Sequence, residues 1–321
     1  MPVDRTKQAK RGDRKKKVVA AAVVAAAVAH HAAAKRVVDK QAVAGLRGQY
    51  DAGLSDLSRS LASQFKGRRR ELVTPATARE ITKYTNMGIA LALGAVAGGL
   101  AAQTADITRE SVHRLSRFLG AVRAGQPSAL DEPRIAERVA MARAKELKRL
   151  RISAMGDMGG DAAAVVKAKL AELPLAEGTV NDAIAEALEL ADGEWWRVER
   201  VARTETSRAF NATMDEGISE LAEELPGLTS RWTEYVDDLT GEPLDDRVGD
   251  DSLVLHGQLR GEDGLFIMPA DELAPTAMIG QTWDAPPNRP NCRAVLLPWM
   301  KEWGIPAWVY KDGERVDVEL P

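Results

Sequence analysis

Seven apolar residues, Val43, Leu46, Tyr50, Leu54, Leu57, Leu61 and Phe65, recur at steps of 3, 4, 4, 3, 4 and 4. A helix puts such a series on one face, and no strand does. A face of that length cannot stay in water, so the helix needs a partner within the chain or in another copy. The charged run "KGRRRE" closes it.

Most of the segments around it also read as helix. "MPVDRTKQAKRGDRKKK" is polar and basic and reads as a disordered arm. "VVAAAVVAAAVAHHAAA", residues 18 to 34, follows. Its basic-then-apolar order resembles a secretory signal, but alanine is weakly apolar and the best helix former, so a solvent-tolerant helix is expected. Residues 88 to 102, "GIALALGAVAGGLAA", are uncharged and carry Gly94-x-x-x-Gly98, a spacing that lets helices approach closely. A 15-residue helix spans roughly 22 Å, short of a bilayer core of about 30 Å, so a buried or interface helix is expected rather than a membrane span. Further helices are expected near 105–123 and 132–155. The second is started by Asp131 as a cap and Pro133 in the first turn. Residues 160 to 224 read as three more, broken at Pro174 and near Gly193.

After "LPGL" the pattern changes. "RWTEYV" is strand-like, and "AWVYKDGERVDVEL" is two strand-like runs about Asp312-Gly313, a hairpin signal. The fold expected is α+β: a mostly helical N-terminal part, then a C-terminal domain of helices packed on a small, mainly antiparallel sheet. The segments expected are 1–35 (basic arm and start of the Ala-rich helix), 36–158 (basic, helical) and 159–321 (acidic, α+β).

Charge divides the chain the same way. Residues 1 to 150 hold 29 Lys+Arg against 13 Asp+Glu, a balance of +16, and the remainder holds 15 against 34, a balance of −19. The basic half suits nucleic acid or an acidic partner. A single cysteine rules out an internal disulfide and an all-cysteine zinc site.

Four pieces of the acidic half stand in a telling order: "VARTETSRAFNAT" (201–213), "RWTEYVDDLTGEPLDDRV" (231–248), "HGQLRG" (256–261) and "APPNRPNCRAVLLP" (285–298). Together they resemble the C-terminal domain of the phage head morphogenesis proteins, the minor head proteins similar to the F protein of phage Mu. The resemblance covers about residues 195–300. It rests on Arg203, Thr204, Glu205, Asn211, Trp232, Asp246, Arg247, His256, Leu259, Gly261, Pro286, Pro287, Asn291, Cys292 and Arg293. It implies a structural protein of the head, acting in morphogenesis near the portal, with no enzymatic activity and no cofactor. Its implied partners are the portal or the major capsid protein. Its implied location is the virion, and the host cytoplasm during assembly. Family members often carry further cysteines; here Ala294 replaces the last of them, so zinc binding does not carry over.

The residues themselves bear on this reading. Arg203 and Glu205 are two apart on a helix and do not face each other. A polar network tying that helix to the following strands is expected. The acidic loop (Asp237, Asp238, Glu242, Asp245, Asp246, Asp250, Asp251) has oxygens for a hard cation but not the order of an EF-hand, and reads as a solvated turn. Cys292 follows a proline-stiffened run and reads as a small buried hydrophobe. Non-specific duplex DNA contact is expected from Lys7, Lys10, Arg11, Arg14, Lys15, Lys16, Lys17, Arg68, Arg69 and Arg70. Self-association through the helices also fits. Two other classes stay open: a Cys292–His256 hydrolase or a metal-dependent nuclease using the aspartates, and a membrane-acting protein using residues 88–102 during DNA delivery.

Overall fold

The computed structural model describes residues 35, 37–122, 131–145, 164, 168, 178–223, 225–236, 242–244, 248–290 and 292–320. They form six α-helices: α1 (37–64), α2 (Pro75–Val122), α3 (132–145), α4 (Val180–Gly193), α5 (Trp195–Ala222) and α6 (Asp250–Leu255). Six short strands follow α5: β1 (Thr229–Thr233), β2 (Phe266–Ile267), β3 (Thr282–Trp283), β4 (Val295–Trp299), β5 (Trp308–Lys311) and β6 (Glu314–Asp317). The fold is α+β, as the sequence pattern implies.

Two compact units divide the chain. One takes Lys40–Thr104 and Met141–Arg203; the other takes Met1–Asp39, Ala105–Ala140 and Thr204–Pro321. The units therefore interleave along the chain, while the segments read from the sequence, 1–35, 36–158 and 159–321, are consecutive. Sequence pattern and charge report local composition, whereas α2 and α5 each continue from one unit into the other.

In the helical unit, Leu46, Tyr50, Leu57, Leu61 and Phe65 of the α1 stripe are buried, with Val43 and Leu54 partly so. The stripe finds its partner inside the chain: Ile81, Ile89, Leu93, Val96 and Leu100 of α2 and Val180, Ala183 and Ala187 of α4. Each large side chain so covered contributes about 1.5–3 kcal/mol. The close approaches come from other glycines than the spaced pair. A Cβ on Gly53 would lie 2.5 Å from the Ala92 Cβ, and one on Gly88 2.5 Å from Leu57, while Gly98 has nothing within 4 Å. A capping box starts α4, with Thr179 and Asp182 each bonding the other's backbone. The Tyr50 hydroxyl donates to the Ala191 carbonyl at 2.5 Å near its end. The expected break near Gly193 is present; that at Pro174 lies outside the described residues.

Residues 88–102 and 105–122 are not two helices but parts of one 48-residue helix. Its threonines bond back to the preceding turn, Thr104 to the Leu100 carbonyl and Thr108 to that of Ala105, so nothing interrupts it. The apolar stretch is therefore not a 15-residue helix too short to span a bilayer. By length and composition α2 could cross one: its apolar window has mean hydropathy 1.5, and 44% of that window is buried.

In the mixed unit, β1 and β4 pair antiparallel with Trp232 opposite Leu296; β2 pairs β3, and β5 pairs β6. The β5–β6 turn has Asp312 at φ 53° and Gly313 at φ 92°, the hairpin conformation expected of Asp-Gly. Single bridges from Leu259 to Arg231 and from Gln258 to Trp308 link these ladders. Trp232 and Phe266, both fully buried, meet edge to face at 5.3 Å. Gly217 of α5 sits so close to Leu115 that a Cβ would lie 2.4 Å from its methyl. Asp131 caps α3 by accepting from the Arg134 amide at 3.2 Å, and α3 is described only to residue 145.

Candidate functional site

The chain's chemistry-bearing side chains gather in a buried polar junction in the mixed unit. Asn211, fully buried on α5, is its hinge to the sheet. Its Oδ1 accepts from the Leu296 amide at 2.9 Å, and its Nδ2 donates to the Ala294 carbonyl at 3.2 Å. Amide side chains suit this place because they supply one acceptor and one donor to adjacent peptide groups. Lys35, only 2% exposed, donates to the carbonyls of Cys292 at 3.4 Å and Ala294 at 3.2 Å.

Cys292 ends the proline-stiffened run, with Pro286 and Pro287 buried and joined by a cis peptide bond. Its thiol accepts from the Ala294 amide at 3.4 Å and stands 3.7 Å from the Ser252 hydroxyl and 3.9 Å from Glu234 Oε1. Burial, and then the negative charge of Glu234, push this thiol up to about 12. Roughly one thiol in 10⁵ is then ionised at neutral pH, the opposite of what a nucleophile requires.

Glu234 is 3% exposed, and burial raises its carboxyl above the ordinary range. Oε1 accepts from Trp232 Nε1 at 3.2 Å; Oε2 is buried and finds no hydrogen-bond partner among the described residues. A cavity of about 10 Å³, the space of one water molecule, is lined here by Lys35, Asp39, Thr233, Glu234, Tyr235, Arg293 and Val295.

His256 Nδ1 accepts from the Glu234 backbone amide at 3.1 Å, and its Nε2 lies 3.4 Å from Arg231 Nη2. Burial first, and then the charges of Arg231 and Arg315, hold the ring neutral, down to about 3. Arg231 is buried and spends its other donors on the Pro306 carbonyl at 3.1 Å and Thr233 Oγ1 at 2.8 Å. The His256 carbonyl accepts from Trp308 Nε1 at 2.8 Å, and Gly257 follows at φ +86°, where a side chain would be strained. Both ring nitrogens of His256 are thus engaged within the β1 region, and the thiol is engaged with Ser252 and Glu234. Among the described residues the ionisable group facing the sulfur is the Glu234 carboxyl, while the His256 ring is bonded to the Glu234 amide and Arg231 instead.

Of the residues carrying the resemblance, Asn211, Trp232, His256, Leu259, Cys292 and Arg293 come together in or beside this junction. Leu259 is buried against Trp299 and Ala307, and its amide donates to the Trp308 carbonyl at 2.8 Å. Gly261 closes the next turn, its amide donating to the Leu265 carbonyl at 2.9 Å. The Arg203-Thr204-Glu205 triplet does not act as one group. Arg203 pairs with Glu199 at 2.5 Å in the helical unit, while buried Glu205 pairs with Arg208 at 2.7 Å. Asp246, Arg247 and Asn291 lie outside the described residues.

Asp237, Asp238 and Asp245 of the acidic loop also lie outside the described residues, whereas Asp251 pairs with Arg289 at 2.9 Å. Among the described residues no three His, Cys, Asp or Glu side chains are grouped to hold a metal ion. Of the basic residues expected to meet DNA, Lys7, Lys10, Arg11, Arg14, Lys15, Lys16 and Lys17 lie outside the description, and Arg69 and Arg70 are exposed. Arg68 is committed elsewhere, bonding Glu71 at 3.1 Å, Glu80 at 3.2 Å and Thr77 at 2.7 Å. Sequence reasoning missed Lys35, Arg231, Glu234 and Ser252. Arg231 and Glu234 offered one signal, as charged residues on either side of Trp232 inside a strand-like run.

The chain matches no protein-family model, no curated protein and no solved structure.

Proposed function

We propose that this chain is a minor head protein of a phage or a phage-derived particle, acting in head morphogenesis near the portal. The observation that carries the reading is the convergence of the four separated segments of the resemblance. Residues 211, 232, 256 and 292 meet in one buried network, which is how a fold-defining motif behaves. The thiol held up at about 12 and the histidine held down at about 3 suit packing roles better than a catalytic dyad.

The mechanism proposed is positional. The acidic C-terminal part docks on the portal or the major capsid protein, and the basic N-terminal residues face the packaged duplex. Lys and Arg contacts to phosphates then give affinity that is independent of sequence and falls with salt. The test is the particle itself. Purified heads should contain the chain in low copy, and deleting its gene should leave capsid protein expression intact while heads become fewer, misassembled or poorly infectious. Heads that lack the chain, with yield and infectivity unchanged by the deletion, would refute the reading.

A further inference from the structure

The outward face of α2 is used by nothing described above. From Tyr84 to Ala105 the helix carries no charged residue, with Lys83 at one end and Asp106 at the other. That is about 35 Å of helix axis. One side of it, including Ile89, Leu93, Val96 and Leu100, is buried. The other side is open and apolar. Leu91 is 73% exposed and Met87 53%, and a Cβ on Gly98 would touch nothing within 4 Å. Large apolar side chains grouped on a surface in this way mark a contact site.

We propose that a second copy of this chain docks here, its α2 antiparallel to the first about a two-fold axis beside residues 94 and 95. The sequence itself selects this occupant. With the axis there, each Lys83 stands opposite the partner subunit's Asp106. The same offset sets Met87 opposite Ala102, Leu91 opposite Gly98 and Gly94 opposite Ala95. Bulk in the first half of the stretch meets small residues in the second, and both ends of the seam close with opposite charges. A parallel pairing would oppose lysine with lysine, aspartate with aspartate and leucine with leucine. Among the described residues Asp106 pairs with Arg109, at 2.7 Å, and both are about 70% exposed (71% and 69%), so that pair is cheaply exchanged. A bilayer fits the ends less well, because Asp106 would face anionic headgroups. One helix pair is a modest interface, so the dimer should depend on concentration.

The full chain is to be measured by light scattering and sedimentation across concentration. The expected result is a monomer–dimer equilibrium. Gly98→Leu fills the hollow that takes Leu91 and should weaken dimerisation by about tenfold or more. Its helical content and melting should stay level or rise, because leucine is the better helix former. Lys83→Glu and Asp106→Lys should each weaken association, and the double variant should restore it, an outcome that general unfolding could not produce. Ala95→Cys, near the axis, should form a disulfide-linked dimer on oxidation. Met87→Cys should do so only when mixed with Ala102→Cys. Native Cys292 is buried and does not compete. A wild-type chain monomeric at all concentrations, self-crosslinking of Met87→Cys, or a double charge swap that restores nothing would overturn the proposal. So would a monomer that floats with phosphatidylglycerol vesicles through this face.

Discussion

Asn211 joins α5 to β4, and Asn211→Ala measures what that joint is worth. Truncation removes the acceptor for the Leu296 amide (2.9 Å) and one donor to the Ala294 carbonyl (3.2 Å). The carbonyl keeps Lys35 at 3.2 Å. The amide has no such second partner on that side, and Leu296 is fully buried. One orphaned buried group costs about 1–3 kcal/mol. The missing amide group leaves a small void worth about 1 kcal/mol more. The sum, roughly 2–4 kcal/mol, lowers the folded-to-unfolded ratio by about 30-fold to 10³-fold. Urea unfolding should show a lower midpoint with an unchanged slope. Hydrogen exchange at the Leu296 amide should speed up more than at β1 amides. A loss below about 0.5 kcal/mol with Leu296 still protected would refute the argument that this side chain ties helix to sheet.

Cys292 should resist alkylation in the folded chain, and Cys292→Ser should cost about 1–3 kcal/mol in chemical unfolding; rapid native labelling would revive the nucleophile. His256 titrates near 3 when folded against an ordinary 6.5, so its contribution is complete above about pH 6.5. As pH falls from there toward 3 that stability drains away at up to about 1.4 kcal/mol per unit, and His256→Gln should flatten the loss. Glu234 is shifted the other way by burial and is relieved by protonation, so Glu234→Gln should steepen the acid loss. Removing residues 1–30 should leave stability unchanged, whereas removal through residue 39 takes away Lys35 and should lower the melting temperature. The full chain should bind duplex DNA with a log–log salt slope of about −0.9 per phosphate contact. Neutralising Lys15, Lys16 and Lys17 should reduce that slope; binding indifferent to salt would contradict it.

The helix α1 and the final hairpin were readable because their signals are local: a period of 3.6 in one case, Asp-Gly turn chemistry in the other. The unbroken α2 was harder to read. Gln103, Thr104 and Asp106 look like a polar break, but polar residues interrupt a helix only if they capture backbone groups from it, and these threonines bond within it. At the junction, the burial of Cys292 followed from its stiff neighbours. Lys35 could not be foreseen, since its setting depends on the carbonyls of Cys292 and Ala294, more than 250 residues later in the chain. The Gly94/Gly98 spacing suggests a close helix approach, but within the chain Gly53 and Gly88 supply it, and Gly98 has nothing within 4 Å.

Lys35 and Ala294, 259 residues apart, also impose an order of events during synthesis. At about 5–20 residues per second, roughly 10–50 s pass between the emergence of the lysine and of its acceptor. The residues of the helical unit are all made by Arg203, so it can begin to close while translation continues. The mixed unit has to wait for β4, and until then an unpartnered cationic segment stays available to chaperones, proteases or nucleic acid.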